Sequence, residues 1–209
     1  MSLPSDGIIL HGGCDCSGVQ YKIKIPPLSS RPIAFMDEKT GEESRYPHSF
    51  LDHCNKCRRV SGAIVQAWLT VPQDWVEWTQ TQNSGETVPS STRDLIQIQK
   101  GVESTSIAVA NYVSSPGIVR SFCGRCGTNL SFVNRERDMG GDGKVATVDI
   151  VLGSLDEESF NVEGVRPDRH LYWDSGVEWV KRLVTEGDGG LGEGGKVPRH
   201  PDGERDVLV

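Results

Sequence analysis

Three close pairs of cysteines constrain this chain more than any other feature. Cys123 and Cys126 sit in SFCGRCGTNLSF, Cys14 and Cys16 in GGCDCSG, Cys54 and Cys57 in LDHCNKCRR, and no cysteine lies outside these pairs. A Cys-x-x-Cys turn aims both sulfurs at one metal, and Gly124 and Gly127 permit the positive φ that such a turn needs. Two thiolates cannot close a tetrahedral site, so the pairs must share a metal or find other ligands. If the units around Cys14/Cys16 and Cys123/Cys126 dock, four thiolates enclose one zinc as a structural centre. Cys54 and Cys57 are then short of ligands, which leaves a position for water or substrate. In the alternative, Cys54 and Cys57 pair with another knuckle and two cysteines stay free. Spacing alone does not choose among the three pairings.

Composition narrows the setting. At 209 residues the chain has length for one domain with a core, or a domain plus a tail. No run approaches the roughly 18 apolar residues of a membrane span, and hydrophobic residues make up 36%, which predicts a soluble chain. The start, MSLPSDGIIL, lacks a basic n-region and a long apolar core, so it does not read as a secretory signal. The expected compartment is the reducing cytoplasm, where short-spaced cysteines favour metal over disulfides. The net charge of −7 (22 Lys plus Arg against 29 Asp plus Glu) repels a phosphate backbone and argues against nucleic acid as a partner.

Along the chain, strands are expected at 8–10, 19–25, 63–71, 95–99, 107–113, 118–122, 130–133 and 145–152. The alternation of Val19, Tyr21, Ile23 and Ile25 marks a half-buried strand, which Pro26 and Pro27 stop. Ser114-Ser115-Pro116-Gly117 reads as the turn that delivers the next strand to Cys123. Trp75, Val76 and Trp78 are candidate core or edge positions. Residues 29–49 and 80–93, polar and broken by proline and glycine, read as surface loops, the first with the option of a lid. Leu155-Asp156-Glu157-Glu158 is expected to open a short helical turn. The predicted division is a zinc-binding β domain over 1–184 and a glycine-rich, disordered tail over 185–209.

GGCDCSG, HCNKCRRVSGA, VSSPGIVRSFCGRCGTNLSF, VDIVLGSLD and HLYWDSGVEW, in that order from about Gly7 to Leu183, resemble the glutathione-dependent formaldehyde-activating enzyme family, which is related to centromere protein V. The resemblance implies an all-β, Mss4-like fold of zinc-stapled sheets with long loops. It also implies a structural zinc on Cys14, Cys16, Cys123 and Cys126 and a second zinc at the middle knuckle. One departure stands out: where the family's middle motif usually reads Cys-His-Cys-x-x-Cys, this chain has Asp52, His53, Cys54 and Cys57. Carboxylate also ligates zinc, so an Asp52/Cys54/Cys57 site is chemically sound, and it would be a stronger Lewis acid than three thiolates. Alternatively Asp52 marks a weakened site and a changed activity.

The implied reaction is addition of the glutathione thiol to formaldehyde, or the reverse carbon–sulfur cleavage, with zinc as cofactor and glutathione as co-substrate. Asp52, Cys54 and Cys57 are then the reactive centre, and His53 can shuttle the proton. Arg58 and Arg59 can clamp the glutathione carboxylates. The plainer alternatives are a solvated or packing His53 and ordinary surface arginines. His170, Trp173 and Trp179 read as core and strand closure. The competing function is a non-catalytic zinc scaffold that binds a protein or small molecule. The partner expected of the enzyme is a small thiol or thiol conjugate, and a homo-oligomer stays open.

Overall fold

A computed structural model describes residues 3–36, 38–97, 108–137, 139–140 and 144–187. Its strands are β1 (Ile8–Gly13), β2 (Val19–Ile25), β3 (Ile33–Met36), β4 (Glu43–Arg45), β5 (His48–Asp52), β6 (Gln66–Pro72), β7 (Val76–Thr81), β8 (Thr87–Ser90), β9 (Val109–Ser115), β10 (Ile118–Cys123), β11 (Asn129–Asn134), β12 (Thr147–Val151) and β13 (Arg169–Leu171). Short helices α1 (Asn55–Ser61), α2 (Thr92–Leu95), α3 (Glu157–Phe160) and α4 (Glu178–Glu186) punctuate them. The protein is therefore mainly β, with several sheets. No helix among the described residues is long and apolar enough to cross a membrane.

The described residues form two compact units, one within 3–51 and 67–169 and the other within 52–66 and 170–187. In the first, β1, β2, β7 and β8 form an antiparallel sheet in that order. A second sheet carries the order β5-β6-β12-β11-β10-β9. In β2 the alternating residues Val19, Tyr21, Ile23 and Ile25 are buried and those between them exposed. They join Leu69, Val71, Trp78, Val119, Leu130, Val133, Val148 and Ile150 in one core. Fully burying such a side chain is worth ~1.5–3 kcal/mol, so this apolar stripe fixes register as well as stability. The Ser115–Gly117 turn forms as expected, with Gly117 at φ +72°.

Several expectations need correction. Residues 29–49 are not simply a loop: they hold β3, β4 and the start of β5, and Arg31 is buried with its guanidinium donating to the carbonyls of Pro4 and Pro26. Residues 80–93 contain the end of β7, all of β8 and the start of α2, whose capping box pairs Ser91 with Asp94. Leu95 closes that helix instead of opening a strand, and residues 98–99 of the expected strand lie outside the described residues. The boundary placed between residues 184 and 185 falls inside α4; the rest of the expected tail, 188–209, also lies outside the described residues.

The second unit is built around the sequence that follows β5. Its chain turns at Cys54 into α1, which ends on Gly62 in the left-handed conformation. Leu171 accepts the His53 backbone N–H at 3.0 Å, a tight turn follows over Trp173–Ser175, and α4 closes the unit.

Candidate metal centres

In the first unit, β1 ends just before Cys14, and the turn to β2 carries Cys16; β10 ends on Cys123, and the turn to β11 carries Cys126. The ligand atoms of all four lie within 4.8 Å of one another. Cys14 Sγ is 3.6 Å from Cys16 Sγ, which is 3.7 Å from Cys123 Sγ. A tetrahedron with zinc–sulfur bonds of about 2.3 Å has edges of about 3.8 Å, so these separations fit a shared zinc and exceed any disulfide. The structure thus brings together the Cys14/Cys16 and Cys123/Cys126 knuckles, one of the three pairings open to the sequence. Cys14 and Cys123 are buried, whereas Cys16 and Cys126 are exposed.

The electrostatics of the four sulfurs differ accordingly. Burial pushes the Cys14 thiol up to about 12 and raises Cys123 as well. The Val19 backbone N–H donates to Cys14 Sγ at 3.1 Å, the kind of amide contact that steadies a thiolate. Cys126 is lowered to about 6, first because the Thr128 hydroxyl lies 3.2 Å from its sulfur.

The second unit holds a different donor set. Asp52, Cys54 and Cys57 bring one oxygen and two sulfurs within 4.8 Å of one another. Asp52 ends β5 and is buried, Cys54 precedes the first turn of α1, and Cys57 faces inward one helical turn on. The Cys54 backbone N–H donates to Asp52 Oδ1 at 2.8 Å, which ties the carboxylate to the turn. Two thiolates and a carboxylate are a donor set for a divalent metal such as zinc, one ligand short of a closed tetrahedron. Among the described residues these two clusters are the groups of three or more such donors that can hold a metal ion.

His53 stands between two of these donors in the sequence. It is buried at 4% exposure, and its Nε2 lies 3.0 Å from His170 Nδ1. Its other nitrogen faces Gly176 so closely that a Cβ there would stand 2.8 Å from Nδ1. Burial, then the neighbouring His170, lowers its pKa, although Asp52 pulls the other way. Of the expected core and strand closure, His170 does lie in β13, but His170, Trp173 and Trp179 are all exposed and so are not core. Trp173 instead meets both imidazoles edge-on, with centroids 4.9 Å from each, and Lys181 Nζ lies 5.3 Å from the Trp173 ring centroid. Tyr172, between His170 and Trp173, is left-handed at φ +53°, a conformation that costs a non-glycine residue ~1 kcal/mol. Sequence reasoning assigned His170 to packing because its partner lies 117 residues away.

Both arginines of α1 are in place. Arg59 is exposed, while Arg58 is half-buried, and its Nε is buried with no hydrogen-bond partner among the described residues. No protein-family model matches the chain, and no curated protein matches it.

Proposed function

We propose that this chain is a zinc-dependent enzyme of the glutathione-dependent formaldehyde-activating family, with an Mss4-like arrangement of zinc-stapled sheets. It makes or breaks a carbon–sulfur bond in small thiol adducts of the S-hydroxymethylglutathione type. The observation that carries this reading is the contrast between the donor sets: four thiolates gathered at one centre, three donors at the other. A four-ligand set holds structure, whereas a three-ligand set keeps a position for a reactant. Asp52, Cys54 and Cys57 would hold the zinc, which would supply Lewis acidity to an oxygen and favour the thiolate form of a thiol.

The chain's own residues complete the site. The hydrogen bond from Cys54 N–H to Asp52 Oδ1 fixes the carboxylate before substrate arrives, so little reorganisation is needed. Arg58 and Arg59, neighbours on α1, offer their guanidinium groups to the two carboxylates of glutathione. The negative net charge repels a phosphate backbone, and the partner that the family resemblance implies is a small thiol conjugate. Its expected setting is the cytoplasm, where glutathione is reduced.

Elemental analysis of protein purified under reducing conditions, combined with an exchange-NMR assay of glutathione with formaldehyde, tests this. Two zincs are expected per chain, one for each donor cluster. Cys54→Ser and Asp52→Ala should each lose one zinc together with the acceleration of adduct exchange, with melting retained. One zinc, unchanged in both variants, and no acceleration refutes the enzyme and leaves a zinc scaffold that binds without catalysis.

A further inference from the structure

Resting on the reading above, we propose that His170 is the proton-transfer group of the Asp52/Cys54/Cys57 centre, and that His53 and Trp173 are positioning residues that hold it. A catalytic histidine works when one ring nitrogen is fixed by a partner and the other is left to exchange a proton with substrate. His170 has this arrangement and His53 does not. His170 Nδ1 is held by His53 Nε2 at 3.0 Å, the ring is exposed, and Nε2 is left for a substrate proton. His53 has one nitrogen engaged by His170 and the other walled off by Gly176, inside a buried ring.

The support around the pair is more than a surface contact would need. The His53 backbone is pinned by its N–H to Leu171 carbonyl at 3.0 Å, the strand that carries His170. Trp173 abuts both rings edge-on at 71–74°, so neither imidazole can rotate without losing an aromatic contact. The left-handed Tyr172 turns the chain so that His170 and Trp173 both reach His53, a local strain the surrounding contacts must offset. His53 lies between Asp52 and Cys54 in sequence, and the Asp52 charge acts on its ring, so the pair is tied to the chain segment that carries the donor set. The charged groups that act on His53 are Asp52, Lys181 and His170 itself.

The step balances without a further reagent. In the adduct-forming direction the thiol sulfur bonds to the carbonyl carbon, the thiol proton passes to His170 Nε2, and the same proton is returned to the carbonyl oxygen as it becomes a hydroxyl. In the reverse direction the hydroxyl proton goes to Nε2, the carbon–sulfur bond breaks, and the departing sulfur takes the proton. No electron leaves the reacting pair.

The experiment compares wild-type protein with His170→Ala and His170→Asn, measuring zinc per chain, melting temperature, and kcat and KM for exchange between glutathione and formaldehyde. His170→Ala should keep its zinc and fold, lower kcat by ~10²-fold or more with KM within about threefold, and regain part of kcat on addition of imidazole. His170→Asn, which can still bond His53 but cannot carry a proton, should fold like wild type and remain slow. Independently of turnover, a slowly exchanging imidazole N–H resonance in wild-type protein should disappear in His170→Ala. An active wild type whose His170→Ala variant keeps its kcat overturns the assignment and leaves the enzyme reading intact. Loss of one zinc in His170→Ala overturns it in favour of a ligand role. A wild type that loads zinc but does not accelerate exchange overturns both.

Discussion

Zinc binding at the four-thiolate centre should be steeply pH-dependent, and the structure sets the slope. Ligand thiols must lose their protons to bind metal. Cys14, pushed up to about 12 by burial, and Cys123, raised by the same cause, are protonated in the metal-free protein at neutral pH. Binding therefore releases at least these two protons. Each released proton changes the apparent dissociation constant tenfold per pH unit, so affinity should fall ~100-fold, about 2.7 kcal/mol, when pH drops from 8 to 7. Cys126, lowered to about 6, is already a thiolate in this window and adds its own proton cost only below pH 6, where the slope should steepen further. The assay is competition for zinc between a chromophoric chelator and reduced protein carrying Cys54→Ser, so that only this centre is read. Because structural zinc contributes ~10–16 kcal/mol in small zinc domains and whole domains are stable by only ~5–15 kcal/mol, excess strong chelator should unfold the first unit. Release of fewer than two protons per zinc between pH 7 and 8 would refute the argument, since two buried protonated thiols could not then both be ligands.

Two further perturbations probe the fold that carries the centres. In Gly12→Ala the new Cβ would stand 2.4 Å from Tyr21 Oη and 2.5 Å from the Ser154 carbonyl, breaking the 2.7 Å Tyr21–Ser154 hydrogen bond. Overpacking and a stranded buried hydroxyl together cost roughly 3 kcal/mol, a fall in Tm of ~10 °C by calorimetry; an unchanged Tm would contradict the close approach. His48, stacked on Phe35, is lowered to about 4 by burial and then by Arg169, against an ordinary value of 6.5. Above pH 6.5 the ring is neutral in both folded and unfolded chains; as pH falls from 6.5 towards 4 only the unfolded chain takes the proton, and up to ~3 kcal/mol of stability is lost. Urea titrations at pH 7 and 5 should show a smaller loss for His48→Gln than for wild type, and an equal loss would sink the assignment.

The sequence by itself determined the local units. The two-residue pitch of Val19, Tyr21, Ile23 and Ile25 is a property of neighbours, and β2 occupies the span the alternation marked. Cys-x-x-Cys turns are equally local, and Ser114–Gly117 could be placed as a turn because proline and glycine restrict the chain wherever they stand. Short strands such as β3, β4 and β8, three or four residues long and partly exposed, are too short to carry a visible period; they form because a neighbouring strand offers hydrogen bonds. The choice of knuckles belongs to tertiary structure for a stronger version of the same reason. Cys16 and Cys123 meet across 107 residues, and nothing in either turn favours that partner over Cys54 and Cys57. Packing of the strands that carry them makes the choice. The meeting of His53 with His170 is decided in the same way, since a histidine's role is set by what its two nitrogens touch, and local sequence says nothing about contacts made by the distant end of the chain.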